Sequence, residues 1–464
     1  MTDIRRGMKK WAGTLTVGLA LAFATPAQGQ SAAATSLPTK ISFADAIRLA
    51  LRQNVDVRQA KNAEALSSAT VRQQKLQFLP SLQVRTTGAQ NIGRTFSESE
   101  GAIISQSTQS LNADISSSLT LFDGLANVAS LKQANLSQDA SEQDLTRARQ
   151  TAAFTVASNY LALVSDQEQL RVQQENLAAQ EALEAQISKL VQAGAKAISD
   201  LYQQQAVVAA ARSAVTSAQR DLEVAKVDII QTLQLDPAKT YDFEAPAIGA
   251  ADTSAEEFNL DSLLARAYAN RSDLTAASSR VNAASQGLRA ASAARWPSLA
   301  LTAGYSSSYN SAAGLSLADQ LDQRRGGSVA LQVSIPLFDN GQTGLATERA
   351  RIDQENAAIA LDAQRRTVGL DVRRAYLDYD AARQQLAAAQ AQLKASDLAV
   401  TTAQKRYEAG AGTLVELAQA RATQVQAASA VVTSRYALVF QASLMPYYTG
   451  ELQPDRIALQ GSAT

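Results

Sequence analysis

The side chains able to do acid–base or nucleophilic chemistry here are carboxylates, lysines and tyrosines. The 464 residues include no histidine and no cysteine. That removes thiol nucleophiles, the usual zinc sites and any Ser-His or Cys-His pair, and it removes the commonest general base. No catalytic constellation assembles from what is left, so neither an enzyme nor a cofactor or metal is expected. Lys plus Arg and Asp plus Glu each number 43, and the net charge is zero. Nothing resembles the basic stripe that nucleic acid requires. The polar residue that does recur in a fixed setting is an aspartate. Phe122-Asp123 in "LTLFDGLANV" and Phe338-Asp339 in "VSIPLFDNGQTG" lie 216 residues apart. Such an aspartate can accept hydrogen bonds from the first free N–H groups of a helix, and the neighbouring Gly allows a sharp turn.

The helices that follow these aspartates are long. Proline and glycine are absent from 41–79, 125–193, 195–236 and 413–445, while 258–296 contains only Gly287 and 345–409 only Gly369. These stretches are rich in good helix formers. Val372, Tyr379, Leu386, Leu393, Val400 and Tyr407 recur every seventh residue, with Ala375, Ala382, Ala389, Ser396 and Ala403 between them. Val156, Leu163, Leu170, Leu177 and Val191 keep the same step, broken at Glu184, and so do Leu201, Val208, Val215, Leu222 and Ile229. A seven-residue step sustained this far predicts coiled-coil packing. At about 1.5 Å per residue the stretch 125–193 is roughly 100 Å long, and its flanking helices are roughly 60 Å each.

Two alternating runs precede each long helix. Leu82, Val84 and Thr86 oppose Gln83, Arg85 and Thr87; Leu111, Ala113, Ile115, Leu119 and Leu121 oppose Asn112, Asp114, Ser116, Ser118 and Thr120. The second half repeats this with Leu299, Leu301, Ala303 and Tyr305, then with Val329, Leu331, Val333, Ile335 and Leu337. Runs of about ten residues suit tilted strands of an outer-membrane barrel. A half-buried soluble sheet also alternates, but Asp114 in the polar face favours a wet lumen. The stretches 91–110 and 307–328 read as long polar loops. In this setting Phe122 and Phe338 fall at the membrane interface, where aromatic residues collect.

The halves are one unit read twice. Pro80 matches Pro297, Tyr160-Leu161 matches Tyr376-Leu377, and "QAGAKAISDL" matches "EAGAGTLVEL", nearly all at offsets of 216 or 217. Two units supply four strands, which cannot close a barrel. An open edge is not tolerated in lipid, so membrane strands force oligomerisation. Two copies give eight strands with little pore, and three give twelve with a wide one.

With the tandem repeat, "FLPSL" and "RWPSL", "PLFDNGQ", the two Gly turns and the ending "SRYALVFQASLMPYYTGEL", the chain resembles the TolC-like outer membrane efflux protein family over roughly residues 41–452. The resemblance implies a coiled-coil α-barrel in the periplasm and a twelve-stranded transmembrane β-barrel, both formed by a homotrimer in the outer membrane. It implies a passive duct for efflux or type I secretion. It also implies a periplasmic adaptor (membrane fusion) protein and an inner-membrane pump of the RND, ABC or MFS type as partners. The family's periplasmic tip, which meets the adaptor and closes the resting channel, carries over to Ala193, Gly194 and Ala195 and to Ala409, Gly410 and Ala411. Its gate positions carry over to Ser199, Asp200 and Tyr407, with an acidic position at Glu416. This chain departs from the family in having Gly412 and Gln419 where some members have a basic residue and a second acid. From the residues alone, Asp200 and Glu416 either focus negative potential around a mouth or occupy first turns favoured by the helix dipole.

The expected order is a signal peptide at 1–30, cleaved at about 27–34; repeat 1 at 41–236; an equatorial segment at 237–257; repeat 2 at 258–445; and an equatorial tail at 446–464. The signal rests on charged residues 1–10 and an apolar run at 11–24, too short for a comfortable span. A trimeric adhesin or autotransporter and a periplasmic coiled-coil adaptor are the alternatives. The first would gather its strands at the C-terminus, and the second would have no membrane part.

Overall fold

The computed structural model describes residues 40–97, 101–244 and 257–454. The expected signal peptide lies outside them, as do most of the inter-repeat segment and the end of the tail. The unit beginning at Lys40 opens with β1 (Lys40–Ile41), α1 (Phe43–Gln53) and α2 (Val55–Leu76). The hairpin β2 (Ser81–Ser97) and β3 (Ala102–Phe122) follows, then α3 (Ala126–Gln192) and α4 (Ile198–Thr232). After β4 (Asp242–Phe243) come α5 (Leu260–Asn270), α6 (Ser272–Ala293), β5 (Ser298–Asn310), α7 (Leu317–Gln323), β6 (Gly326–Ser334), α8 (Gln342–Glu408) and α9 (Leu414–Thr449).

The duplication is strict in the helices. α1 and α5 have 11 residues each, α2 and α6 have 22, α3 and α8 have 67, and α4 and α9 have 35 and 36. Rods packed side by side on heptad seams must stay in register over their whole length, so an insertion in one would break every contact beyond it. The strands diverge, at 17 and 21 residues in repeat 1 against 13 and 9 in repeat 2.

Three expectations are corrected. The stretches 41–79 and 258–296 are each two helices, not one. In the first, Asn54 accepts hydrogen bonds from the Asp56 and Val57 N–H groups at 2.9 and 3.2 Å and so restarts the helix. In the second, Arg271 adopts an extended backbone between α5 and α6. Most of the expected loop 91–110 is strand: β2 and β3 stay paired from Ser81↔Ser118 to Ser97↔Ala102, because the stretch holds no proline and carries β-branched residues. At about 3.3 Å per residue this hairpin far exceeds the ~25 Å apolar band of an outer-membrane barrel. β6 ends at Ser334, short of Ile335 and Leu337, since Pro336 has no N–H to offer a ladder. The second loop is structured too. Fully buried Gln320 of α7 exchanges hydrogen bonds with the Asn310 backbone, donating to its carbonyl at 3.0 Å and accepting from its N–H at 2.9 Å.

The four long strands form one antiparallel sheet in the order β2-β3-β5-β6. Its register aligns the two faces read from the sequence. Val84 opposes Ile115, Ile115 opposes Tyr305, Leu119 opposes Leu301, and Leu301 opposes Leu331. On the other face Arg85 stands opposite Asp114. The apolar face is bare in the single chain, with Leu82, Val84, Val329 and Leu331 all exposed.

The helices carry three small apolar cores. One gathers Ile47, Tyr160, Leu163, Ile229 and Phe243, and there the Tyr160 hydroxyl is shared between the Ile41 carbonyl at 3.0 Å and the Glu244 carbonyl. A second gathers Leu263, Val368, Val372, Tyr379, Leu386 and Met445. The third joins Leu183 and Ile187 to Tyr407, Leu414 and Leu417. The heptad positions Val156, Leu163, Val208, Ile229, Val372, Tyr379, Leu386 and Tyr407 are all buried. α9 runs through Pro446 to Thr449, and the Pro446 carbonyl accepts the Glu451 and Leu452 N–H groups beyond the helix end. Gly369, within α8, is a close-contact site: a Cβ there would lie 2.6 Å from the Tyr268 hydroxyl of α5.

Candidate functional site

Two places in the fold carry the motif residues: the corners where strands become long helices, and the turns where α3 and α8 reverse. At the first corner Asp123 accepts the Asn127 N–H at 2.9 Å. At the second, Asp339 accepts Thr343 N–H at 2.7 Å and Gly341 N–H at 3.0 Å. Hydrogen bonds from Thr343 hold the Asp339 carboxyl below the usual carboxylate range. Each corner needs two successive left-handed residues, supplied as Gly124-Leu125 in one copy and Asn340-Gly341 in the other. Only Gly124 is also crowded, since a Cβ there would meet the Ala293 carbonyl oxygen at 2.6 Å and Trp296 at 2.9 Å. Phe122 is part-exposed and Phe338 almost fully so, as aromatic residues at a membrane boundary would be.

The two reversing turns are copies of one helix-ending motif. Gly194 and Gly410 both have φ of 72°. Ala195 N–H donates to the Leu190 carbonyl and Ala411 N–H to the Arg406 carbonyl, both at 2.8 Å. Gly194 N–H donates to Val191 at 3.0 Å and Gly410 N–H to Tyr407 at 3.1 Å. Ala193 and Ala409 close the last turns of α3 and α8. All six residues except the glycines' φ angles are unremarkable in backbone, and nothing lies within 4 Å of a Cβ added at Gly194 or Gly410.

Of the gate candidates, the structure brings Asp200 and Tyr407 together. The buried Tyr407 donates its hydroxyl to the Asp200 carboxylate at 3.4 Å, linking α4 to α8. Burial, with Asp200 alongside, raises the phenol above its ordinary value, so it stays a donor. Ser199 stays exposed at the start of α4. Glu416 is not part of this link. It pairs with Arg406 of its own hairpin at 3.4 Å. Both acids do sit in the first turns of their helices. Sequence reasoning missed Lys196, which lies over the Tyr407 ring at 4.0 Å and donates to the Tyr407 carbonyl at 3.4 Å. It also missed a buried cluster between the repeats. There Arg271 donates to Asp273 at 2.6 and 3.0 Å, Gln364 donates to Asp273 at 2.9 Å, and Arg147 stacks on Tyr447 at 3.9 Å. Sequence spacing cannot reveal these pairs, because they join positions on separate helices.

Among the described residues no group of His, Cys, Asp or Glu could hold a metal ion, and no helix is long and apolar enough to cross a membrane. The outer membrane efflux protein family profile matches residues 46–233 and 263–443, one stretch for each repeat. The chain belongs to the outer membrane efflux protein family. It is similar to the outer membrane efflux protein BepC of Brucella suis biovar 1 (23% identical over 340 residues, 73% of this chain and 72% of that one). Protein CyaE of Bordetella pertussis is 27% identical over 432 residues, 90% of this chain and 89% of that one. The crystal structure of the outer membrane protein VceC from Vibrio cholerae shares the fold with a TM-score of 0.76 at 16% identity, covering 88% of this chain and 96% of that one. Membership makes the chain an outer-membrane channel component of an efflux or secretion system, with its helical rods in the periplasm. The family is one of ducts rather than enzymes.

Proposed function

We propose that three copies of this chain close a twelve-stranded barrel and a continuous helical tube, forming a passive duct from periplasm to exterior. The observation that carries it is an unequal pair of equals. α3 packs on α6 and α9 of the other repeat, yet α8, its duplicate, has no such neighbours. Instead Leu345, Ile352 and Ile359, seven residues apart on α8, stay exposed, while Ala129, the counterpart of Leu345, is buried. The sheet tells the same story: β3 pairs with β5 across the repeats, whereas the equivalent edges of β6 and β2 are free. A second copy fills both vacancies by repeating the contact already made within the chain.

Two copies would give eight strands, whose interior side chains fill. Arg85 and Asp114 on the polar face need water, which favours twelve. The Gly194 and Gly410 turns, at the far ends of the rods, are the docking points for a periplasmic adaptor coupled to an inner-membrane pump. Purified in detergent from outer membranes, the protein should have the mass of three chains and conduct ions in a planar bilayer. A monomer that does not conduct would overturn the reading.

A further inference from the structure

Lys196, Tyr407 and Asp200 tie the α3–α4 hairpin to the α8–α9 hairpin of the same chain. The Lys196 ammonium lies over one face of the buried Tyr407 ring and donates to a carbonyl in the last turn of α8, where the helix dipole favours a cation. The repeat shows what faces the other side of each hairpin. At an offset of 216 residues, Lys196 corresponds to Gly412, Tyr407 to Val191 and Asp200 to Glu416.

None of those three can build the same tie. Gly412 has no side chain and no room for one, since a Cβ there would lie 3.1 Å from Arg406 Cβ and 3.3 Å from Glu416 Oε2. Val191 offers neither ring nor hydroxyl. Glu416 is turned to Arg406 of its own hairpin, 3.4 Å away, and Arg406 donates to the Ala411 carbonyl at 3.2 Å.

We infer that the periplasmic mouth has two kinds of seam, a clamped one within each chain and an unclamped one between copies, and that it parts at the unclamped seams while Lys196 keeps each chain's two hairpins moving as one body. This rests on the ring of copies proposed above. Lys196 is a positioning residue: it touches no cargo and acts through Tyr407.

Two measurements test it. Lys196→Met keeps the apolar stem and removes the charge, and Lys196→Arg keeps a cation. In planar bilayers the open probability of Lys196→Met should rise about two- to fivefold for each clamp lost, the weight of one partly exposed cation–aromatic contact. Lys196→Arg should stay near wild type. Equal behaviour of wild type and Lys196→Met, both conducting as trimers, overturns the clamp. In the second test, Val191→Cys and Gly412→Cys are combined in this cysteine-free chain and bridged by a cleavable bismaleimide. The expected result is chain-to-chain bands on a denaturing gel, with export lost on bridging and restored on cleavage; the same variant before bridging is its control. Export that persists with the copies bridged, or bridging confined to single chains, overturns the seam assignment. A wild type that neither assembles nor conducts overturns the duct reading itself, and the clamp's role with it.

Discussion

At the scale of single residues the glycines separate into kinds that composition cannot distinguish. Gly124 is both left-handed and crowded by Ala293 and Trp296, whereas Gly194 and Gly410 are left-handed in open space. Alanine at Gly194 or Gly410 should therefore cost only the backbone term, roughly 1–2 kcal/mol. Alanine at Gly124 adds overpacking to it, for about 3 kcal/mol in all. Thermal unfolding of the three variants in detergent should rank Gly124→Ala clearly lowest; equal losses would refute the distinction. Gly369 is different again. Its neighbour is the end of a half-exposed tyrosine, which can swing aside, and an alanine in mid-helix gains up to about 1 kcal/mol. Gly369→Ala should match or exceed the wild-type melting temperature. A marked drop would mean that Tyr268 cannot move.

At the scale of elements, the buried cluster of Arg147, Arg271 and Asp273 joins α3 to the α5–α6 junction, while Gln364 adds α8 and the Tyr447 ring adds the end of α9. Burial pushes the Asp273 carboxyl up, but the hydrogen bond and charge of Arg271, helped by Arg147, more than offset this, and the group ends below its ordinary range. A depressed carboxyl contributes stability that is fully present above the unfolded value near pH 4. That contribution is lost as pH falls through the lower folded value. Asp273→Asn should cost about 3 kcal/mol or more at neutral pH by leaving Arg271 buried without its partner. Unfolding followed from pH 7 to pH 3 should show the gap between variant and wild type narrowing at the acid end. A gap that widens there would contradict the sign.

At the scale of the whole molecule, the repeat prescribes how copies meet. Within the chain, Ser117 of β3 opposes Ala303 of β5. Shifted by the repeat, the same pairing sets Val333 of one copy against Thr86 of the next, both on the apolar face. Cysteines at Val333 and Thr86 should form disulfides between copies and give a trimer on a non-reducing gel. Monomer bands alone under oxidation would exclude this register. The apolar sheet face and the bare stripe on α8 are liabilities in a free chain, which ties stable folding to assembly and lipid.

The sequence by itself determined the duplication, the heptad rods, the alternating strands, and the corner aspartates and turn glycines. These depend on residue type at short, regular spacing: a period of seven or two, or a turn that only certain residues adopt. It did not show that Asn54 and Arg271 divide the outer helices, because a side-chain cap or one extended residue leaves little trace in composition. It did not show how far β2 and β3 stay paired, since polar strand and polar loop draw on the same residues. Only the tertiary structure decided that Lys196 rests on Tyr407, 211 residues away, that Glu416 serves Arg406 rather than the Asp200–Tyr407 link, and that α8 lacks the neighbours α3 has. Those facts are set by which helices lie side by side, and periodicity fixes the face a helix presents without naming the partner that covers it.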